Sequence, residues 1–313
     1  MMRRSKWVAL CLALSVPFAA VCSVEAAADK LSRLRDSQVL NLGFIADLAP
    51  FSSGSTQSPQ GYGIELCQAV AQHLRQSPGL ADLQVHWHVV PQEQAVRALG
   101  EGTVDLLCTP MVETITKRET LNFSIPVFTT GLAVLVRRDA PASLLEPLRG
   151  KPVDTGPRWR ATLNAGLSKH SFAVLRGTLS SQWARERVRK LGLQSRLEEV
   201  SSYQEGVRRV VERKVDAFFG ERMILLSLQS QQPERDRLWI PDQLFVTSRV
   251  ALPMARGDDG FRLLVDTALS QALSGPDGEA LFVRYLGVQT AQDKLLQSLY
   301  VLPDDRERLA PQH

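Results

Sequence analysis

The chain has 313 residues, 44% of them hydrophobic and 22% charged, which excludes a disordered or disulfide-dense chain and leaves room for two domains. Lys and Arg number 37 against 33 Asp and Glu; removing Met1–Ala28 takes Arg3, Arg4 and Lys6 from the first count and Glu25 from the second, leaving 34 against 32. A body that close to neutral argues against non-specific nucleic-acid binding.

The N-terminus reads as an export signal. Charges at Arg3, Arg4 and Lys6 precede the uncharged apolar stretch Trp7–Val21, and small residues follow at Ala26-Ala27-Ala28. The apolar stretch contains Pro17 and is short for a membrane span of about 20 residues. Cleavage after Ala28 is expected, with Cys22 as a lipoprotein cysteine the alternative. Cys11 and Cys22 would leave with the signal. Cys67 and Cys108 then form an even pair in an oxidising compartment, which permits a disulfide; two buried thiols are the other reading.

After a polar lead (29–38), Val39–Ala46 is a predicted strand and Asp47–Gln60 a Ser/Gln/Gly/Pro loop. Ile64, Cys67, Val70, Ala71 and Leu74 share one face of a predicted helix. A strand at Leu83–Val90, a helix at Gln92–Leu99 and a buried strand at Val104–Cys108 follow. Phe123–Gly131 and the LAVLVRR behind it are extended. Phe172–Leu175 is a strand, Gly177-Thr178 opens a helix that runs to Lys190, Gln204–Glu212 is a helix and Val215–Phe219 a strand. Phe245–Arg256 is extended, and a helix over Phe261–Leu273 starts behind the capping pair Asp258-Asp259. Phe282–Gly287 and Leu295–Leu302 are C-terminal additions. Strands alternating with helices indicate an α/β chain with a mostly parallel sheet.

One weak internal repeat stands out. Val96-Arg97 and Val104-Asp105 are separated by six residues, as are Val207-Arg208 and Val215-Asp216. It suggests two α/β lobes of similar build. Two extended crossings, one in each direction, would leave the second lobe inserted in the first, with separate sheets in the two halves.

In order, the stretches GFIADLAPFS, GYGIELC, GTVDLLC, ITKRETLNFSIPVFTTG, FAVLRGTLSSQW, KVDAFFGERMIL, FRLLVDTALSQAL and ALFVRYLG resemble bacterial periplasmic solute-binding proteins of the polar amino-acid class, family 3. These feed ABC importers and share a fold with the ligand cores of ionotropic glutamate receptors. The resemblance implies a periplasmic-binding-protein type II fold: two α/β lobes joined by a two-stranded hinge, with a ligand cleft between them that closes by hinge bending. The implied boundaries are 1–28 for the signal peptide, 38–131 and 250–287 for lobe 1, 132–249 for lobe 2, and 288–313 for a C-terminal extension. The implied role is capture of an amino acid or similar small carboxylate for delivery to an ABC importer permease in the inner membrane. The protein would be a periplasmic monomer, not an enzyme, with no cofactor, metal or nucleic acid.

The family's binding residues carry over in part. Its carboxylate-binding Arg lies six residues before the Phe of a Phe-Ser pair; counting back from Phe123 lands on Lys117, with Arg118 next. Lys is a point donor and does not fork onto a carboxylate as guanidinium does. The hydroxyl positions five and seven residues earlier fall on Val112 and Pro110, which have no side-chain donor; Thr109 and Thr114 are nearby but out of register. In lobe 2, Thr178 and Ser180 open a helix whose free N–H groups suit an anion, or simply cap it. Glu221, five residues beyond Asp216, stands where the family places an Asp for the ligand ammonium; a surface Glu paired with Arg222 is the plain reading. Phe51 stands where a cleft-wall aromatic is usual, and Leu48 where a second is expected.

His86 and His88 share one strand face but lack a third metal ligand, so they read as a polar face. The basic run Arg185, Arg187, Arg189 and Lys190 reads as a solvated helix face. Two alternatives to solute delivery remain: a periplasmic sensor or accessory subunit with a degenerate site, and an enzyme like the cyclohexadienyl dehydratase built on the same fold, with Glu113 or Glu221 as general acid.

Overall fold

A computed structural model describes residues 30–148 and 167–303. The expected signal peptide 1–28, with Cys11 and Cys22, and the last ten positions of the expected C-terminal extension lie outside the described residues.

Chain order alternates strands and helices as the sequence pattern requires, with three differences. The polar lead is a helix, α1 (Lys30–Ser37), docked through buried Leu34. The stretch expected as a loop holds three short strands, β2 (Asp47–Leu48), β3 (Ser52–Ser55) and β4 (Ser58–Gln60), paired as a small antiparallel sheet. Its Ser- and Gly-rich strands are largely exposed, so no apolar alternation marks them. The third difference is in how the lobes join. Strand β8 (Leu121–Arg137) is 17 residues long and pairs in both halves. Hydrogen bonding therefore runs unbroken through one ten-stranded sheet, instead of the separate sheets expected.

Lobe 1 contributes β1 (Val39–Phe44), β5 (Gln84–Val89), β6 (Leu106–Leu107) and β7 (Met111–Val112) to that sheet. Lobe 2 contributes β9 (Ser171–Leu175), β10 (Arg196–Val200), β11 (Ala217–Glu221) and β12 (Leu238–Trp239). The order is β10-β9-β11-β8-β13-β6-β1-β5, with β12 beside β8 and β7 beside β13. β8 and β13 (Val246–Ala255) run antiparallel and form the two-stranded waist. Their register shifts between Val250 and Pro253.

Helices cover the sheet where their apolar faces dictate. In α2 (Tyr62–Arg75), Ile64, Cys67, Val70, Ala71 and Leu74 are all buried, the one-sided stripe of a core-facing helix. Its start needs a residue without a side chain: a Cβ on Gly63 would lie 2.0 Å from the carbonyl oxygen of Cys108. One turn on, Cys67 is bonded to Cys108, S–S 2.08 Å and Cα–Cα 5.8 Å, tying α2 to the end of β6. Downstream are α3 (Ala95–Gly100), α4 (Ile115–Arg118), α5 (Ala142–Leu148), α6 (Leu179–Leu191), α7 (Tyr203–Val211), α8 (Arg222–Ser230), α9 (Asp259–Leu273), α10 (Gly275–Leu286) and α11 (Ala291–Tyr300). Asp258 caps α9 by accepting from the Phe261 N–H at 2.8 Å.

The internal repeat has a structural meaning. Asp105 precedes β6 and accepts from the Asn41 N–H of β1 at 2.9 Å, while its own N–H donates to the Asn41 carbonyl. Asp216 precedes β11 and makes the same pair of bonds to Ser171 of β9. Val104 and Val215, one residue earlier, are both fully buried. Each lobe thus pins a strand to its parallel neighbour with one carboxylate.

Among the described residues no helix is long and apolar enough to cross a membrane.

Candidate functional site: a cleft between the lobes

Alternation along the waist strands determines what faces the gap. On β13, Val246, Ser248 and Val250 line the cleft at every second position, the period of a strand. On β8 their partners Leu132 and Thr130 do the same, Thr130 opposite Ser248 and Leu132 between Val246 and Glu221. These residues floor a cavity of about 350 Å³, walled by β7, α4 and the β1–β3 region on one side and by the starts of α6, α7 and α8 on the other.

Lys117 enters from lobe 1. Thr114 caps the short helix α4 by accepting from the Lys117 N–H at 3.2 Å, and the Lys117 Nζ donates to the Val112 carbonyl at 3.0 Å. Burial lowers its pKa. Among the described residues no carboxylate pairs with it. Arg118, the alternative anchor, does not line the cleft; its guanidinium pairs with Glu113 at an exposed position. One step along a helix turns a side chain about 100°, and in the four-residue helix α4 that step takes Arg118 from the cleft side occupied by Lys117 to the exposed side. Arg118 is therefore corrected to an outward ion pair, and Glu113, held there with it, also lies off the cleft.

Glu221 enters from lobe 2. It ends β11 and is the N-cap of α8, one carboxylate oxygen accepting from the Ile224 N–H at 2.9 Å. The other, Oε1, is shielded from solvent with no hydrogen-bond partner among the described residues. Burial pushes the Glu221 pKa up to about 7, against the lowering pull of the Ile224 and Met223 N–H groups. The expected plain pairing with Arg222 is not formed: that guanidinium bonds the Pro241 carbonyl and Asp242.

Phe51 and Leu48 both line the lobe 1 wall. Phe51 is 3% exposed and packs on Phe128, ring centroids 6.1 Å apart. Thr178 and Ser180 line the lobe 2 wall. The Thr178 hydroxyl is already engaged, donating to the Leu175 carbonyl at 2.7 Å and accepting from the Ser181 N–H as the cap of α6. Val112 and Pro110 line the cleft without a side-chain donor. Thr109 lines it too, but its Oγ1 is held by the Ile45 N–H and Ser52 Oγ. Thr114 is the cap of α4 and is not on the lining.

Among the cleft residues that escaped sequence reasoning are Tyr203, Thr130 and Ser248. Tyr203 is buried, and its hydroxyl accepts from the Glu221 N–H at 3.3 Å. Thr130 is 5% exposed, and its Oγ1 has no partner among the described residues. The only signal for Thr130 and Ser248 was strand alternation, and using it required knowing that the two strands are paired. His88 bonds the Asn41 side chain, and no cluster of metal-ligating residues occurs among the described residues.

The arrangement holds one cation and one carboxylate on opposite walls of a small cavity, each poorly solvated and unpaired with the other.

The chain is 26% identical over 143 residues to the L-glutamate/L-aspartate-binding protein of Pseudomonas aeruginosa, 44% of this chain and 47% of that protein, so it spans about half the length of that relative. It is 23% identical over 280 residues to the probable amino-acid-binding protein YxeM of Bacillus subtilis, 86% of this chain and 90% of that protein. Among solved structures, the ancestral amino acid-binding protein AncCDT-1, a precursor of cyclohexadienyl dehydratase, superposes with a TM-score of 0.64 at 18% identity, over 82% of this chain and 99% of that one. That likeness shows the type II periplasmic-binding-protein fold. The profile of the bacterial extracellular solute-binding proteins, family 3, matches residues 40–288, and the chain belongs to that family.

Proposed function

We propose that the protein captures an amino acid or similar small carboxylate in the cleft and closes its lobes over it. It then delivers the ligand to an ABC importer permease in the inner membrane, acting as a monomer in the periplasm after removal of residues 1–28. In this reading the lobe boundaries fall at 131/132 and 249/250, within β8 and β13 respectively.

The observation that carries the proposal is the pair Lys117 and Glu221. A cation and a carboxylate with no ion-pair partner among the described residues, on opposite walls of one cavity, are complementary to a zwitterion. The ligand carboxylate would meet the Lys117 Nζ, and the ligand ammonium would meet Glu221 Oε1. Both protein groups are disfavoured in their charged forms while the cleft is empty. A zwitterion supplies each with its missing partner, and the resulting bonds are charge-assisted. The relatives named as amino-acid-binding proteins support this class of ligand.

Calorimetry on the purified chain, stripped of ligand by unfolding and refolding, tests it. An amino acid should bind, and Lys117→Ala should weaken that binding about 10- to 100-fold, the range of one charge-assisted contact. Unchanged affinity in Lys117→Ala would remove Lys117 from the site.

A second reading rests on Glu221. A carboxyl group titrating near 7 inside a cleft is placed to act as a general acid, as in a dehydratase. Turnover of prephenate or arogenate by the wild type, lost in Glu221→Gln, would favour it.

A further inference from the structure

The charges and the walls of the cleft together say more than that a zwitterion fits. We infer that the ligand is a monocarboxylate amino acid with an apolar side chain, not a glutamate- or aspartate-like diacid and not a basic amino acid. The inference rests on the zwitterion reading above and deepens it.

A diacid brings two carboxylates and needs two cationic partners. Among the described residues, Lys117 is the one Lys, Arg or His on the lining. Arg118 faces outward to Glu113. With Lys117 holding the α-carboxylate, a second carboxylate would find neutral hydroxyls such as Thr130 and Ser248, an acidic residue or an aliphatic surface, but no second cation among the described lining residues. An unpaired ionised group in such surroundings is strongly disfavoured.

A basic amino acid would need a carboxylate beyond the one that meets its α-ammonium. Among the described residues Glu93 is the only other acidic lining residue, and it sits exposed on the 3-10 turn Gln92–Gln94. A solvated carboxylate at a rim gains little from pairing.

Apart from a few hydroxyls, of which those of Thr109 and Thr178 are already bonded within the protein, most of the remaining wall is hydrocarbon. Leu48, Val96, Met111 and Val112 come from lobe 1, Leu179 and Ile224 from lobe 2. All four lobe 1 positions are incompletely buried, so a ligand side chain would remove their surface from water on binding. Near the charged pair, Thr130 offers a buried hydroxyl without a partner. It supplies one polar contact for the zwitterion head and leaves the wall apolar.

The test is a binding panel on the ligand-stripped wild-type chain. L-Leucine, L-methionine and L-phenylalanine are compared with L-alanine, L-glutamate, L-aspartate, L-arginine and L-lysine. The best apolar ligand should bind at least about 10-fold tighter than alanine, as burial of a full aliphatic side chain predicts, and tighter still than the charged amino acids. If glutamate, aspartate, arginine or lysine binds tightest, this inference is overturned while the amino-acid reading stands. If no amino acid binds, the reading beneath it fails as well. A variant sharpens the result. Met111→Lys places a second cation on the wall and should raise glutamate affinity about 10-fold while weakening leucine. An unchanged ratio of glutamate to leucine affinity would show that the ligand side chain does not lie on that wall, and would also overturn the inference.

Discussion

The two lobes repeat one construction and then diverge in what they secure and what they offer. In each, an Asp at the end of a Val-Asp pair bonds the backbone of the neighbouring parallel strand. In lobe 1 that Asp is closed in: the Asp105 side chain is 1% exposed and is paired with Arg33 at 2.5 Å and Lys30 at 3.5 Å. In lobe 2 it is open: the Asp216 side chain is 28% exposed, with Arg137 at 3.7 Å. The disulfide is likewise in lobe 1. The cleft charges also split, a cation from lobe 1 and a carboxylate from lobe 2. Sequence repetition therefore reports the scaffold, while the chemistry lies in residues outside the repeat.

The largest effect should come from cutting the covalent tie of lobe 1. The Cys67–Cys108 bond closes a loop of 41 residues, and its loss should lower stability by about 4 kcal/mol on the chain-entropy account. Urea unfolding of the Cys67→Ser, Cys108→Ser double variant against the wild type measures it. A change below about 1 kcal/mol would show that the packing of α2 on β6, not the bond, holds lobe 1 together.

Next in size is a pH effect belonging to lobe 2. The Glu221 pKa is raised from 4.5 to about 7 in the fold, so the folded state favours the protonated form. Stability from this group is complete below pH 4.5 and is lost as pH rises toward 7, by about 3 kcal/mol for a shift of that size. Glu221→Gln should flatten the fall in urea midpoint over that window. An equally steep fall in the variant would assign the slope to other groups.

The smallest effect separates the paired aspartates. Asp105→Ala should cost about 3 kcal/mol, because it leaves two cations around a buried site, and Asp216→Ala about 1 kcal/mol. Thermal melts of the two variants give the difference, and equal losses would mean that exposure of the second carboxylate does not weaken its bonds.

The alternation of strands and helices was legible because apolar residues recur at the period each element demands, as in α2. The α1 helix was not: its docking depends on Lys30 and Arg33 reaching Asp105, more than seventy residues away. Resemblance to a family pointed to Lys117 and Glu221 by counting from Phe123 and Asp216, and both line the cleft. The choice between Lys117 and Arg118 could not be made in one dimension, since it turns on which face of α4 meets the gap. Tyr203, Thr130 and Ser248 reach the cleft through pairings between distant strands, which leave no local mark.

Glu221 answers to two demands at once. One of its oxygens begins α8, and the other stands unpaired at the cavity. On the proposed reading, a change there that removes the cap alters local folding and recognition together. A residue that is short and neutral but still able to start a helix, such as Ser or Asn, would let the two be separated; a plain aliphatic would not. Change of ligand preference by single steps should then travel more readily along the hydrocarbon wall than through the acid.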